Sequence, residues 1–280
     1  MIGRMTGAAT RGLLVALLIA TPALILPGVA ADSTQITALM ALLAGFLTFV
    51  EYNSSFPSIV EFRDAPPFNR LRFIALFVTV VMITQVIKSH SEVTLLSGAL
   101  FSLGTIIGNA LDFPYSPVRL AVLMLPETAS LQLVETIRAA AGLAYLVAAI
   151  ALLVFVLIVR VLGWPTRHGA FNVWVNLPLF DPTAGGDVIS RLQRDARINI
   201  ALGFLLPFLI PAMVKLASYL IDPIPFENPQ TLIWTVSAWA FLPASMIMRG
   251  IAMNKVAGMI EDKRRRTYAD AETEAGLQIA

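Results

Sequence analysis

Apolar residues in this chain run in long, nearly unbroken stretches, and the charged residues collect in short islands between them. A helix of about 20 apolar residues crosses a hydrocarbon core of about 30 Å, and it is one of the few structures that satisfies its own backbone there. The stretches 12–31, 35–52, 71–88, 139–162, 198–221 and 230–248 reach about that length and are read as membrane spans. A further stretch, 93–111, has the length but is interrupted by Gly98, Gly104 and Gly108, and broken sequence follows over 112–134. The predicted fold is an all-α polytopic transmembrane helix bundle of six to eight spans, as counted from these stretches.

Composition agrees with that pattern. Of 280 residues, 57% are hydrophobic and 14% charged, against roughly 25% charged in a soluble domain, and the mean hydropathy is +0.77.

Charge placement then sets orientation, because Lys and Arg accumulate in short cytoplasmic loops. With the N-terminus inside and the clear spans alternating, the inner segments hold Arg4, Arg11, Arg63, Arg70, Arg72, Arg160, Arg167, Arg191, Arg194, Arg197, Arg249, Lys255 and the run from Lys263 to Arg266. Lys88, Arg119, Arg138 and Lys215 fall on the outer side. One extra crossing at 93–111 would turn every later basic loop outward. The segment 91–137 is therefore read as an even number of crossings, either a broken or re-entrant hairpin or two full spans with the second over 118–134. The second form would bury Glu127 beside Pro126, which is costly in lipid, so the hairpin is favoured.

The first 31 residues also match a secretory signal, with Arg4 and Arg11 before an apolar run that ends in Val29, Ala30 and Ala31. They are read as an uncleaved span, and a cleaved signal leaves the later orientation unchanged. Residues 1–250 form the transmembrane domain. Residues 251–280 form a cytoplasmic amphipathic helix, with Met253, Val256, Ala257 and Ile260 at helical spacing, and a polar tail expected to fray beyond Thr267. The expected location is the bacterial inner membrane, with both termini cytoplasmic if the first span is retained.

The sequence pI is about 9.1 although the formal charge is only +2. The basicity is local, so nucleic acid is not an expected partner. There are no cysteines, which removes disulfides, thiolate nucleophiles and cysteine-ligated metals or clusters. His90 and His168 fall on opposite sides and furnish no His-rich metal site. Gly185 and Gly186 precede a helix but lack a Walker lysine. No catalytic group, metal or cofactor is assigned.

Two loops carry the densest polar and aromatic sequence. In 51–70, Phe56, Phe62 and Phe68 are expected at the membrane interface or against a partner, with Arg63 and Arg70 toward headgroup phosphates. In 171–180, alternation and Trp174 suggest an extended or interfacial segment, after which Asp187 caps a helix with Arg191, Arg194 and Arg197 along one side. These features suggest a non-catalytic accessory, assembly or scaffold subunit that works through cytoplasmic loops. The expected partners are the bilayer, anionic lipid headgroups, and a membrane or cytoplasmic protein or a second copy of the chain. The alternative is a small-solute or ion transporter or channel, with a polar path through Asp112, Glu127 and Lys215 near the hairpin.

Small residues at packing intervals, Ala41 with Gly45, Gly98 with Ser102, Gly104 with Gly108, and Gly142, Ala144 and Ala148, mark close helix contacts. Pro207, Pro211 and Pro243 lie inside spans, and each frees a carbonyl that a neighbour must satisfy. The orientation predicts that a topology reporter fused after Ala184 is cytoplasmic. An outward-facing reporter would invert every later segment.

Overall fold

In a computed structural model, residues 2–28, 31–165, 171–181, 183, 185–220 and 224–279 are described, the side chains of the last helix as far as residue 272. Val29, Ala30, Arg167, His168 and Ala184, each given a place in the sequence reading, lie outside the described residues. Among the described residues every regular element is helical. Six of the helices are long and apolar enough to cross a membrane: α1 (Ile2–Ile25), α2 (Ala31–Asn53), α3 (Phe68–Lys88), α6 (Leu131–Val161), α8 (Val188–Ala217) and α9 (Pro229–Ile279). Between α3 and α6 lie α4 (Leu95–Leu111) and α5 (Pro117–Leu123), and α7 (Val173–Asn176) is a single turn before α8.

Residues 95–123 form α4, a short turn and α5, a pair called here the α4–α5 hairpin. One of the two expected readings, a full span over 118–134, is not what the chain builds. Seven residues of α5 cover about 10 Å, and the chain turns through 124–130 before Ser130 caps α6 by accepting a hydrogen bond from the Leu133 N–H. The helix then runs through Arg138, which sequence hydropathy placed before the span. Asp112, at the end of α4, accepts from Arg138 Nε at 2.8 Å. Pairing offsets part of the cost that either charge would carry alone in an apolar setting.

The hairpin sits on α6 through glycine. A Cβ added at Gly142 would lie 2.6 Å from the Gly108 Cα, and one at Gly108 would lie 2.5 Å from the Arg138 carbonyl oxygen. The two backbones therefore touch directly. Helices α1 and α2 meet in the same way, a Cβ at Gly12 falling 2.6 Å from the Gly45 carbonyl oxygen. The Gly98 and Ser102 pair does not pack as expected: Gly98 has only the Val93 side chain nearby, at 3.6 Å, and Ser102 is exposed.

Helix α8 contains Pro207 and Pro211. Pro211 has no N–H for the Pro207 carbonyl four residues earlier, and the indole of Trp239 on α9 donates to that oxygen at 3.0 Å. The neighbour that the sequence required is a tryptophan.

Two large apolar cores, with a smaller cluster of Val86, Ala139 and Leu143 between α3 and α6, hold the described residues together. One, toward the α4–α5 hairpin, joins Ile83, Val118, Ala121, Ile137, Ala140, Ile233 and Trp239. The other joins Phe62, Phe68, Phe155, Trp164, Leu192, Met253, Val256 and Ala257. The second core lies at the end that carries the loops 54–67 and 171–187, called here the loop end. Met253, Val256 and Ala257, expected as the apolar stripe of an amphipathic tail, are buried there against Ile189, Leu192 and Ala196 of α8. Contrary to the expected fraying after Thr267, α9 stays helical to Ile279, in keeping with its Ala, Glu and Arg content.

The glycine contact predicts that Gly142→Ala lowers the thermal unfolding midpoint in detergent, by an overpacking cost of about 1–3 kcal/mol. Gly98→Ala, in open space within a helix, is expected to hold or raise that midpoint.

Candidate functional site

The loop end is assembled around three side chains that work as staples. Glu51, in the last turn of α2, folds its buried carboxylate back over the loop. Oε1 accepts the backbone N–H groups of Ser58, Ile59 and Val60 at 2.6, 2.6 and 2.9 Å, and Oε2 accepts the Ser58 hydroxyl at 2.9 Å. Arg63 donates to the Glu51 and Ser54 carbonyls at 3.1 and 2.8 Å, filling acceptors that the end of α2 leaves open. Arg4, from the start of α1, also donates to the Ser54 carbonyl.

Phe62 is the pivot. Its φ is 52°, a left-handed conformation that costs a non-glycine residue of order 1 kcal/mol or more. It is held there because its ring is fully buried and its N–H donates to the Asn176 carbonyl at 2.6 Å. The Asn176 side chain accepts from the Asp64 N–H at 3.0 Å, so one asparagine on α7 fixes both sides of the turn. The Trp164 indole donates to the Ala65 carbonyl at 3.0 Å. The Phe62 and Phe68 rings lie 4.6 Å apart, and Phe68 and Trp164 each meet Phe155 at 5.4 Å.

Glu61 supplies the third staple. Its carboxylate is 8% exposed and receives Arg249 of α9 in a bidentate pair, Nε to Oε2 at 2.5 Å and Nη2 to Oε1 at 2.8 Å. Asn69 donates to the Glu61 backbone carbonyl at 2.7 Å.

This geometry corrects part of the sequence reading. Phe62 and Phe68 are interior, not interfacial, because the staples turn their rings inward; Arg63 is spent on the end of α2. Segment 171–180 is not extended: α7 is helical, and Asn176, Leu177 and Phe180 are buried. Arg70 is exposed, as are Phe56, Ile59, Trp174 and Leu179. Asp187 caps α8 as expected, accepting from the Ser190 N–H at 3.0 Å, and also pairs with Arg264 of α9 at 3.0 Å. The guanidinium of Arg191 lies 4.8 Å from the Phe180 ring centroid, while Arg194 is exposed and 3.6 Å from Asp195.

The expected polar path does not converge. Asp112 is held by Arg138 and, at 3.5 Å, by Arg119. Lys215 donates to the Leu125 carbonyl at 3.3 Å. Glu127 is exposed on the 126–129 turn. None of the three lines the open crevice of about 210 Å³ at this end, which His90, Gln132, Thr136 and Glu227 border.

The sequence reading missed Glu51, Glu61, Asn176 and Arg249 as one connected site. The available signal was a pair of glutamates in an otherwise basic, apolar-flanked loop and an arginine close behind the last apolar run. Compared with known protein families, curated proteins and solved structures, the chain shows no match.

Two outcomes follow. Glu61→Gln leaves Arg249 half-buried without its countercharge and is expected to cost about 3–5 kcal/mol of stability, whereas adding Arg249→Met to it is expected to recover part of that loss in a double-mutant cycle. The Asp187 carboxyl is held below its usual range by the Ser190 amide and by Arg264, so its contribution is present above the ordinary aspartate range and is lost as pH falls through the lowered value. Faster amide exchange at the start of α8 on acidification, absent in Asp187→Asn, checks this.

Proposed function

We propose that the six long helices are membrane spans, that the loop end faces the cytoplasm, and that the α4–α5 hairpin is a re-entrant element on the other side. The chain then acts as a non-catalytic accessory or assembly subunit that docks a protein partner on its cytoplasmic end. Basic residues gathered at the loop end support the orientation. One observation carries the docking reading: Phe56, Ile59, Trp174 and Leu179 are exposed by 61–85%, and they are borne on segments that Glu51, Asn176 and Arg249 hold rigid. Rigid, exposed aromatic and aliphatic side chains are what binding anchors require. The transport alternative has less support, because Asp112 and Lys215 are satisfied locally and Glu127 points to the surface.

The test is purification of the tagged chain from its own membrane with lipid retained, beside a Phe56→Ser/Ile59→Ser variant and Trp174→Ser. A near-stoichiometric protein partner, reduced about tenfold or more in a variant that keeps its unfolding midpoint, is the expected result. A wild-type chain that runs alone, or only with copies of itself, overturns the docking reading.

A further inference from the structure

The open crevice of about 210 Å³ at the hairpin end has room for about seven water molecules, or for a small organic molecule of that bulk. His90, in the turn after α3, borders it beside Thr136 of α6. The His90 Nε2 lies 2.8 Å from the Thr136 hydroxyl, which is itself 2.7 Å from the Gln132 carbonyl one turn earlier. A carbonyl only accepts and a hydroxyl has one proton, so Thr136 donates to Gln132 and accepts from His90. The uncharged His90 ring therefore carries its proton on Nε2. Its Nδ1 is left as an acceptor with no partner among the described residues. The edge contact with Phe101, 5.1 Å between ring centroids, holds the ring from its other side.

Glu227 borders the same crevice, exposed and without an ion pair among the described residues. The cations of this end are engaged elsewhere: Lys88 with Glu92 at 3.3 Å, Arg119 and Arg138 with Asp112, and Lys215 with the Leu125 carbonyl. Glu127 and Glu135 are also exposed and unpaired among the described residues, so the charge left over at this end is negative. Such a field draws cations toward the crevice. Leu133, Phe226 and Leu232 add hydrocarbon to its lining. Acceptors, a carboxylate and an apolar surface together complement an ammonium group, which has three donors and no acceptor, on a small carbon body. No lysine or arginine lines the crevice, so the phosphate of a lipid headgroup would meet only Glu227 there. One imidazole and one carboxylate are fewer ligands than a divalent metal site gathers, and no cluster of three such groups occurs among the described residues.

We propose that this crevice is a binding site for a small primary amine, with Glu227 as the counterion of the ammonium group, His90 Nδ1 as an acceptor for one of its N–H donors, and Leu133 and Leu232 against its carbon body. The site lies at the opposite end from the docking surface and does not rest on it.

The test uses the purified full chain in detergent at pH 8, where a primary amine is charged and an ordinary imidazole is not. The chain has two histidines, so nitrogen NMR of the imidazole rings reads His90 directly, with His168→Gln assigning its signals. The probes are phenethylamine and its uncharged counterpart 2-phenylethanol. In the free chain Nδ1 is expected to resonate as the unprotonated nitrogen. It is expected to shift saturably with phenethylamine, bound about tenfold more tightly than the alcohol. That preference is expected to vanish in Glu227→Gln and to persist in Glu127→Gln, whose exposed acid lies outside the crevice. The proposal is overturned if Nδ1 carries the proton in the free chain, if the amine leaves Nδ1 unmoved or binds no better than the alcohol, or if Glu227→Gln keeps the preference in full. The comparison of amine with alcohol needs no variant, and it decides alone should Glu227→Gln fail to fold.

Discussion

The Glu61–Arg249 pair is the constraint around which the loop end is organised. Neither charge can be left alone at 8% and 29% side-chain exposure, since an unpaired buried ion costs several kcal/mol. The pair therefore fixes how far α9 slides along α3, and with it which residues of α9 enter each core. Trp239 lies on one side of Arg249, with the hairpin-end core, and Met253, Val256 and Ala257 lie on the other, with the aromatic cluster. Packing of α8 against α9 inherits this register. Gly250, the next residue, is where the Ala196 carbonyl comes within 2.7 Å of a would-be Cβ.

Around that pair the loop behaves as part of the core. Its amides close on a carboxylate, its one left-handed residue is locked by an asparagine from the other loop, and its aromatics fill the space between α3 and α6. What it presents outward is a small set of apolar side chains with little freedom to move. On the proposed docking reading, those side chains are the ones that would meet a partner. Among the described residues, the ionisable groups at the opposite end are matched by a local partner or exposed.

The parts of this structure legible in sequence are those set by local pattern. Run length located the long helices, and the spacing of Met253, Val256 and Ala257 marked the buried stripe of α9. Asp187 was recognisable as a cap, and the prolines of α8 announced a carbonyl needing a donor. What escaped depends on residues far apart in the chain. The start of α6 was placed eight residues late because Arg138 looks prohibitive until Asp112 is set beside it. Phe62 and Phe68 looked like surface aromatics because a loop has no periodicity to say which way a side chain turns, and the turn is decided by Glu51 and Asn176.

The separation of 188 residues between Glu61 and Arg249 has a consequence for biogenesis. During synthesis α1 and α2 emerge first, and their Gly12–Gly45 contact needs nothing made later, so these two helices can pack on their own. Glu61 follows almost at once, yet its counterion is made only with the final long helix. Until then the carboxylate must stay hydrated, which keeps the whole 54–67 loop open to water and leaves the loop end unfinished. Closure of that end thus reports that the last helix has arrived, and a truncated chain lacking α9 would carry an exposed acid and unburied aromatics that quality control can detect.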